Sequence, residues 1–380
     1  MNMGRDNHQT RKYAVFALVA ATAIISWCGC STLYPGKERS SLEPVITAMP
    51  WPQADTLFRS DKCWLGGDGA YSIDLGKQRV LWLFGDSFID PAGSGDRNNA
   101  VVVRNSLAIQ RGYDPTAAAI TFYWGALKQG AGPYFNGKND SWFWPGGGAR
   151  VGDTLIIFLM RIRSAANDLG FELEGWTCVS IKNPDLSPKE WDITWLRTPK
   201  NDFGIIVGSA ALFIEDYLYA FATDARSNEA YLVRWPVSDV LRGDLTNMYW
   251  WSGNIWFEYG KLSGEPSAVF SEAQMEYTVH YEPAFGLFMQ IQTGSFMDRR
   301  LIFRTATKIT GPWSEPKPFY TPVEERSQDL LVYAGKAHHG LSGSDLVLTY
   351  AVNSLDMDRL VSDNSLYYPV FVRGSLYREQ

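Results

Sequence analysis

The chain has 380 residues, of which 46% are hydrophobic, 14% aromatic and 20% charged, a balance typical of a folded globular protein and too apolar for a disordered one. Its 35 basic and 41 acidic residues give a formal charge of −6. Because the first 29 residues carry +2, from three basic residues and one acidic residue, the remainder carries −8. An acidic body argues against nucleic acid as a partner, since phosphate attraction needs an excess of Lys and Arg.

The N-terminus predicts an export signal. Arg11 and Lys12 precede an apolar run over 13–27, which has the length of a signal-peptide core and is short for a membrane-spanning helix. The run ends in the letters CGCS, in which a small residue precedes Cys30. This ending resembles the lipobox of bacterial lipoproteins, although Trp27 stands where that pattern prefers Leu. The resemblance implies a signal peptide over 1–29 and a palmitate-type lipid on Cys30.

Export determines the expected surroundings of the body. We expect it to be anchored to the bacterial envelope through the lipid, with ordinary secretion or an uncleaved anchor as alternatives. Ser31 follows Cys30 in place of the Asp that retains lipoproteins at the inner membrane, so the outer membrane is expected in a Gram-negative cell. In an oxidising compartment Cys63 and Cys178 could form a disulfide, and the sequence leaves their pairing open.

The rest of the chain predicts a tether followed by one domain. Residues 30–55 contain Pro, Gly and charged residues without an apolar period, as expected of a tether. Over 56–380, short runs of Val, Ile, Leu and aromatic residues are bounded by Gly, Pro, Asn and Asp, which favours β-strands. The domain is therefore expected to be all-β and monomeric.

Internal repetition predicts the architecture. Five similar units, each with a polar start, a strand, a turn and a strongly apolar strand, are spaced 58–79 residues apart. They begin at Gly67, Gly146, Gly208, Tyr277 and Gly335. A propeller blade with its loops occupies about 40 to 50 residues or somewhat more, so the units predict a five-bladed β-propeller. A two-sheet sandwich is the competing all-β fold.

The first unit places two carboxylates opposite each other. If Gly76, Lys77 and Gln78 form a three-residue loop, Asp68 lies across the hairpin from Asp86. A two-residue loop would instead pair Gly67 with Asp86 and leave Asp68 one position away. Like charges at opposed positions destabilise a sheet, because their Cβ atoms are about 4.5 to 5.5 Å apart, and they raise one pKa so that an acid stands beside a base. Two such carboxylates are what glycoside hydrolysis requires. The alternative is structural, with Asp86 in an Asx-turn and Asp68 capping a loop.

Polar residues at the ends of the second strands predict a pocket at the propeller axis. They are Asp86, Arg161, Asp224, Gln292 and Asn353. Each could also be a surface residue at which a strand ends. Further candidates for substrate binding are Arg104, Asn105, His338 and Trp144, whose indole could stack under a sugar ring. Their structural alternatives are an ion pair between blades for Arg104 and core packing for Trp144.

No metal or cofactor is expected. His280 stands alone in the sequence, and the adjacent His338 and His339 would face opposite sides of a strand. Glu282 is expected in a hairpin turn. The sequence contains no Gly-rich phosphate loop, no cluster of Cys and His with metal-ligand spacing and no G-x-S-x-G nucleophile elbow, so redox, nucleotide and serine-hydrolase chemistries lose their usual support.

Three stretches resemble a known family. They are GGDGAYSIDLGKQRVLWLFGDSFI, RNSLAI and KAHHGLSGSDLVLTYAVNS, which are similar to the secreted domain-of-unknown-function family 4185 and its relatives. That family is similar to five-bladed propeller glycosidases and includes endo-D-arabinanases of glycoside hydrolase family 183. The resemblance covers most of residues 60–355. It implies that Asp68 and Asp86 are the catalytic acids, and it leaves the sugar open.

The sequence therefore predicts an exported glycoside hydrolase that cleaves a polysaccharide or surface glycan with two aspartates. Which aspartate donates the proton, and whether the reaction retains or inverts the anomeric configuration, stay open. The alternatives are a non-catalytic carbohydrate-binding lipoprotein and a scaffold propeller, the latter expected to expose a large apolar patch.

Overall fold

The computed structural model describes residues 44–378, apart from 129, 138–139, 168–169, 202, 261–264, 296–297, 328 and 342–344. Five antiparallel sheets of four or five strands follow one another along the chain. The fold is the predicted five-bladed β-propeller. No helix in the described ranges is long and apolar enough to cross a bilayer. The predicted signal peptide and Cys30 lie outside the described residues.

Blade 1 consists of β3, β4, β7 and β8 from the axis outwards, and β2, β5 and β6 form a small sheet beside it. The elements up to the end of this region are β1 (Pro44–Pro50), α1 (Pro52–Asp55), β2 (Trp64–Gly67), β3 (Tyr71–Gly76), β4 (Arg79–Phe84), β5 (Ser87–Ile89), a 3₁₀ helix (Arg97–Asn99), β6 (Val101–Val103), β7 (Ser106–Arg111), β8 (Ala119–Tyr123), β9 (Gly125–Leu127) and β10 (Gly130–Gly132). Strands β9 and β10 pair only with each other.

Blades 2 and 3 contain four and five strands. Blade 2 comprises β11 (Ser141–Val151), β12 (Thr154–Ser164), β13 (Phe171–Ile181), a 3₁₀ helix (Pro188–Glu190) and β14 (Ile193–Trp195). Blade 3 comprises β15 (Ile206–Ile214), β16 (Tyr217–Asp224), β17 (Glu229–Pro236), α2 (Val237–Leu241), β18 (Tyr249–Trp251) and β19 (Trp256–Glu258).

Blades 4 and 5 complete the ring, and blade 5 contains strands from both ends of the described chain. Blade 4 comprises β20 (Thr278–Glu282), β21 (Leu287–Thr293), β22 (Leu301–Ala306) and β23 (Lys317–Tyr320), and a 3₁₀ helix (Val323–Arg326) follows it. Blade 5 comprises β24 (Leu331–Ala337), β25 (Leu346–Asn353), α3 (Met357–Ser362) and β26 (Val370–Arg378), with β1 as its outermost strand. Pro44 pairs with Arg378 and Pro50 with Val372.

The hydrophobic core is divided into five clusters, one between each pair of neighbouring blades. Leu83 of blade 1 meets Ile157 of blade 2, and Phe371 of blade 5 meets Trp82 of blade 1. The second strand of a blade is therefore covered on both faces, which explains why all six residues of β4 are buried and why these strands are continuous apolar runs.

The innermost strands approach one another closely. A Cβ atom on Gly146 would lie 2.5 Å from the carbonyl oxygen of Gly208, and one on Gly147 would lie 2.9 Å from the Cα atom of Ala210. Only glycine fits where the inner strands of blades 2 and 3 meet, which accounts for the glycine run in the second repeat unit.

One expectation about the chain needs revision, and one question that the sequence left open is answered. The predicted tether extends too far, because residues 44–50 form β1 and pair with β26 throughout. The outermost strand of a blade pairs along one edge only and needs few apolar residues. The composition of β1 therefore resembles that of a linker. Cys63 and Cys178 are both free, with Cys178 buried in blade 2 and Cys63 partly exposed.

Candidate active site

The hairpin of blade 1 brings Asp68 and Asp86 together in the predicted register. Tyr71 pairs with Leu83 and Gly67 with Ser87, so the two aspartates occupy opposed positions between these pairs. The turn itself differs from the prediction, since Gly76 pairs with Arg79 and only Lys77 and Gln78 remain unpaired.

A β-bulge in β3 compensates for the shorter turn. The pairing shifts between Asp74 and Gly76, and Lys77 and Gln78 both have positive φ angles, of 54° and 58°, as a type I′ turn requires. One extra residue in β3 therefore restores the register that a three-residue loop would have produced.

Asp86 is buried beneath the site. Its side chain is 1% exposed, and it accepts hydrogen bonds from Arg104 Nη1 at 3.2 Å and Trp144 Nε1 at 2.9 Å. Burial raises the pKa of Asp86 to about 6, while the charge of Arg104 and the bond from Trp144 oppose this rise. Arg104 also lies 4.3 Å from the centre of the Trp142 ring, so it is fixed between a carboxylate and an indole.

Asp68 faces the cavity. Its carboxyl group lies against Gly85, where a Cβ atom would come within 2.5 Å of Asp68 Oδ1, and Tyr333 donates a hydrogen bond to Asp68 Oδ2 at 2.7 Å. Burial, together with the charges of Asp86 and Glu276, raises the pKa of Asp68 to about 7, against the lowering effect of the hydrogen bonds from Tyr333 and Tyr367. Asp68 is therefore largely protonated just below neutral pH.

A third carboxylate, Glu276, lies in the same cavity. Lys336 is fully buried and donates to Glu276 Oε1 at 2.9 Å, and its ammonium also lies 4.3 Å from the centre of the Tyr71 ring. The sequence analysis missed Glu276, which precedes β20 by two residues much as Asp68 precedes β3 by three. A comparison of the residues just before each inner strand could have found it.

The cavity opens at the end of the axis where the first strands begin and the second strands end, and it encloses about 810 Å³ including its open mouth. Its polar lining includes Asp68, Glu276 and Thr293, and Trp144 forms part of its wall. The remaining lining residues are Gly69, Gly85, Pro145, Met160, Leu173, Gln274, Met275, Tyr333 and Ala334. Three carboxyl groups thus lie in or just beneath one largely apolar cavity.

Two predicted residues support this cavity from behind. Gln292 is buried and bonds the carbonyl oxygen of Glu272 at 2.8 Å and the amide of Gln274 at 3.3 Å, so it holds the segment that carries Glu276. Asn353 is also buried and donates to the Tyr333 hydroxyl at 3.2 Å, which in turn bonds Asp68.

Two other predicted residues lie inside the protein, away from the cavity. Asn105 is fully buried and bonds the backbone of Phe135 and Phe143. His338 is 1% exposed and makes hydrogen bonds of 2.8 Å with Ser72 and with Thr349. Their polar atoms therefore join loops and blades together.

Arg161 and Asp224 form ion pairs and do not line the cavity. Arg161 lies 3.0 Å from Glu174. Asp224 bonds Arg226 through both oxygens, at 2.7 and 2.9 Å, and these bonds lower the pKa of Asp224. The fold therefore lowers the pKa of Asp224, whereas it raises the pKa of Asp68.

The expectation that His280 stands alone is wrong. Its ring stacks on that of His339, with centres 5.0 Å apart and an angle of 19° between the planes. His338 and His339 do face opposite sides, one buried and the other exposed. Glu282 lies at the end of β20, where the hairpin turn begins. The two histidines come from inner strands of neighbouring blades, which linear spacing does not reveal.

Three solved structures are similar to this one. The chain superposes on a protein of Bacteroides ovatus ATCC 8483, provisionally named a hydrolase, with a TM-score of 0.68 and 16% identity over 87% of this chain and 90% of that one. It is also similar to a xylan β-1,4-xylosidase from Bacillus halodurans C-125, with a TM-score of 0.45 and 10% identity over 77% of this chain and 49% of that one. An exo-β-1,3-galactanase of Phanerochaete chrysosporium gives a TM-score of 0.46 and 10% identity over 81% and 60%. The superposition on the Bacteroides ovatus protein, at 16% identity, is a likeness of fold.

The match to a family model shows the family of this chain. The chain belongs to the family described as a domain of unknown function, DUF5005, whose model matches residues 53–377. No curated protein sequence matches the chain. The matching model is a different one from family 4185, so the arabinanase resemblance belongs with the proposals below.

Proposed function

We propose that this protein is a glycoside hydrolase in which Asp68 is the proton donor. The observation that carries the proposal is the Asp68 carboxyl group, which faces the cavity with a pKa raised to about 7 by burial and by two neighbouring carboxylates. A carboxyl group that is still protonated near neutral pH can protonate the oxygen of a leaving sugar.

We assign the second carboxylate to Glu276. It lines the cavity together with Asp68 and is oriented by Lys336, so it is placed to activate water or to attack the anomeric carbon. Asp86 is 1% exposed, and both of its oxygens accept hydrogen bonds. We therefore propose that Asp86 acts through Asp68 by keeping its pKa raised, with direct catalysis by Asp86 as the alternative.

The walls of the cavity support a carbohydrate as substrate. Trp144 lines the cavity, and its Nε1 is fixed by Asp86, which holds the indole in one orientation. An immobilised aromatic ring beside carboxyl groups suits a sugar ring, which has both apolar faces and hydroxyl groups. The resemblance to family 4185 makes an arabinan the first polysaccharide to examine.

The test compares the parent protein with three variants on a panel of arabinans and bacterial surface glycans. Released oligosaccharides are identified by mass spectrometry. Asp68→Asn and Glu276→Gln should each lower turnover by about 10²- to 10⁴-fold. Asp86→Asn should retain more activity and move the alkaline limb of the pH profile to lower pH, because removing its charge lowers the pKa of Asp68.

The outcomes separate the alternatives. If Asp86→Asn abolishes activity while Glu276→Gln retains it, the two aspartates form the catalytic pair and our assignment of Glu276 is wrong. If the parent releases no products and yet retains a glycan, the protein is a carbohydrate-binding lipoprotein. The anomeric configuration of the first product distinguishes retention from inversion.

We further propose export and attachment to the bacterial envelope through a lipid on Cys30, with the propeller acting as a monomer. The support is the signal-like N-terminus of the sequence. Growth with an alkyne analogue of palmitate should label the full chain, and Cys30→Ser should abolish the label. Equal labelling of both proteins would contradict the proposal.

A further inference from the structure

A second cavity opens among the inner strands of the blades and shares no lining residue with the cavity of the candidate active site. Its lining includes Ser72, Gly148, Ala211, His280 and His339.

Three potential ligands converge beside this opening. His280 and Glu282 are two residues apart on β20, so they share one face of the strand. His339 follows the end of β24 by two residues and stacks on His280. The potential ligand atoms of the three side chains all lie within 4.8 Å of one another.

His280 has an unfulfilled hydrogen-bonding capacity. The residue is 6% exposed, and neither ring nitrogen makes a hydrogen bond to any described residue. Buried polar groups are nearly always paired, so an unpaired one calls for an explanation.

We propose that His280, His339 and Glu282 bind a divalent transition-metal ion of the zinc type. Two imidazole nitrogens and one carboxylate oxygen are a ligand set that Zn²⁺ takes, with a fourth position open to water. Ca²⁺ and Mg²⁺ prefer sites built of oxygen atoms alone. The ion satisfies one of the two ring nitrogens of His280 that the described residues leave unpaired.

To bind a metal ion, the ligand atoms of the three side chains need to move only slightly closer together. Two ligands of a tetrahedral zinc ion are about 3.3 Å apart, compared with the span of up to 4.8 Å between the present atoms. His339 is exposed and Glu282 is half-buried, so both can rotate towards the buried His280. The bound ion links blade 4 to blade 5, and an ion that binds only the folded state stabilises it.

The experiment titrates the metal-free, tag-free full chain with Zn²⁺, and separately with Mg²⁺ and Ca²⁺, by isothermal calorimetry. Thermal unfolding is followed in parallel. One Zn²⁺ per chain should bind and raise Tm, and neither Mg²⁺ nor Ca²⁺ should compete. Loss of an outer-shell partner costs about 10- to 100-fold in metal affinity, so His339→Ala, which removes a ligand, should weaken Zn²⁺ binding at least about 100-fold.

The variants are chosen at positions where the fold tolerates them. Glu282→Gln should weaken Zn²⁺ binding at least about 10-fold. Its matched control is Glu215→Gln, in the exposed hairpin turn between β15 and β16 of blade 3, which should bind Zn²⁺ like the parent. Absence of Zn²⁺ binding, or unchanged affinity in His339→Ala, overturns the proposal. The readouts do not involve glycan cleavage, so they stand apart from the proposed hydrolase activity.

Discussion

Replacing Asp68 by Asn should stabilise the protein at alkaline pH, even though it should lower the proposed activity by about 10²- to 10⁴-fold. The unfolded chain ionises Asp68 near its ordinary pKa of 3.8, whereas the folded protein does so at about 7. Between these values the folded state binds the proton more tightly, so stability falls as the pH rises through this window and stays at the lower level above about 7.

The size of the effect follows from the shift. About three pKa units, at about 1.4 kcal/mol each, give a cost of about 4 kcal/mol at pH 8. At pH 5 only about 1–2 kcal/mol of this cost is present, so the advantage of Asp68→Asn should grow by about 2–3 kcal/mol between pH 5 and pH 8. The Asn carbonyl oxygen can still accept the hydrogen bond from Tyr333, so the substitution keeps that donor paired.

Urea unfolding followed by tryptophan fluorescence, at pH 5 and pH 8 for both proteins, measures this difference without any substrate. Both proteins contain the same other titratable groups. The contributions of these groups therefore cancel when the change in unfolding free energy between pH 5 and pH 8 is compared between the two proteins. A difference in unfolding free energy that is the same at both pH values, or a variant less stable than the parent at pH 8, would refute the environment described for Asp68.

Three further predictions test other parts of the structure. Tyr333→Phe removes the hydrogen bond that lowers the pKa of Asp68, so the alkaline limb of activity should move to higher pH at a cost of about 1 kcal/mol in urea unfolding. A chain beginning at residue 44 should unfold cooperatively on heating, whereas a chain beginning at residue 56, which lacks β1, should show a broad transition or aggregate. Equal thermal transitions in the two chains would contradict ring closure by β1. Asp224→Asn should destabilise the protein at pH 8 by about 1 kcal/mol and much less at pH 3, because the pKa of Asp224 is lowered in the fold; a larger effect at pH 3 would contradict its ion pair.

The sequence predicted what depends on local pairing. The register that opposes Asp68 and Asp86 follows from one short hairpin, and the apolar second strands follow from burial between blades. Arg104 was recognised because a charge interrupts an apolar strand. Such features lie within about 40 residues of one another along the chain, where spacing still carries information.

What the sequence did not predict depends on ring closure. Glu276 meets Asp68 because blades 4 and 1 face the same axis, and it stands in a segment without any apolar period. His280 and His339 meet for the same reason, across neighbouring blades. The polar ends of the second strands were expected to share one pocket, yet Asp224 forms an ion pair of its own, because polar strand ends also satisfy local partners.

The closing strand also sets the order in which the protein can be completed. Strand β1 precedes every other described strand along the chain, and its partner β26 follows all of them. Until that last strand emerges, β1 has an open edge, and the core between blades 5 and 1 lacks Phe371. Exposed edges and apolar surface promote aggregation and recognition by chaperones and proteases. A chain that lacks β26 is therefore left without a closed ring, so completion of the fold depends on this one strand.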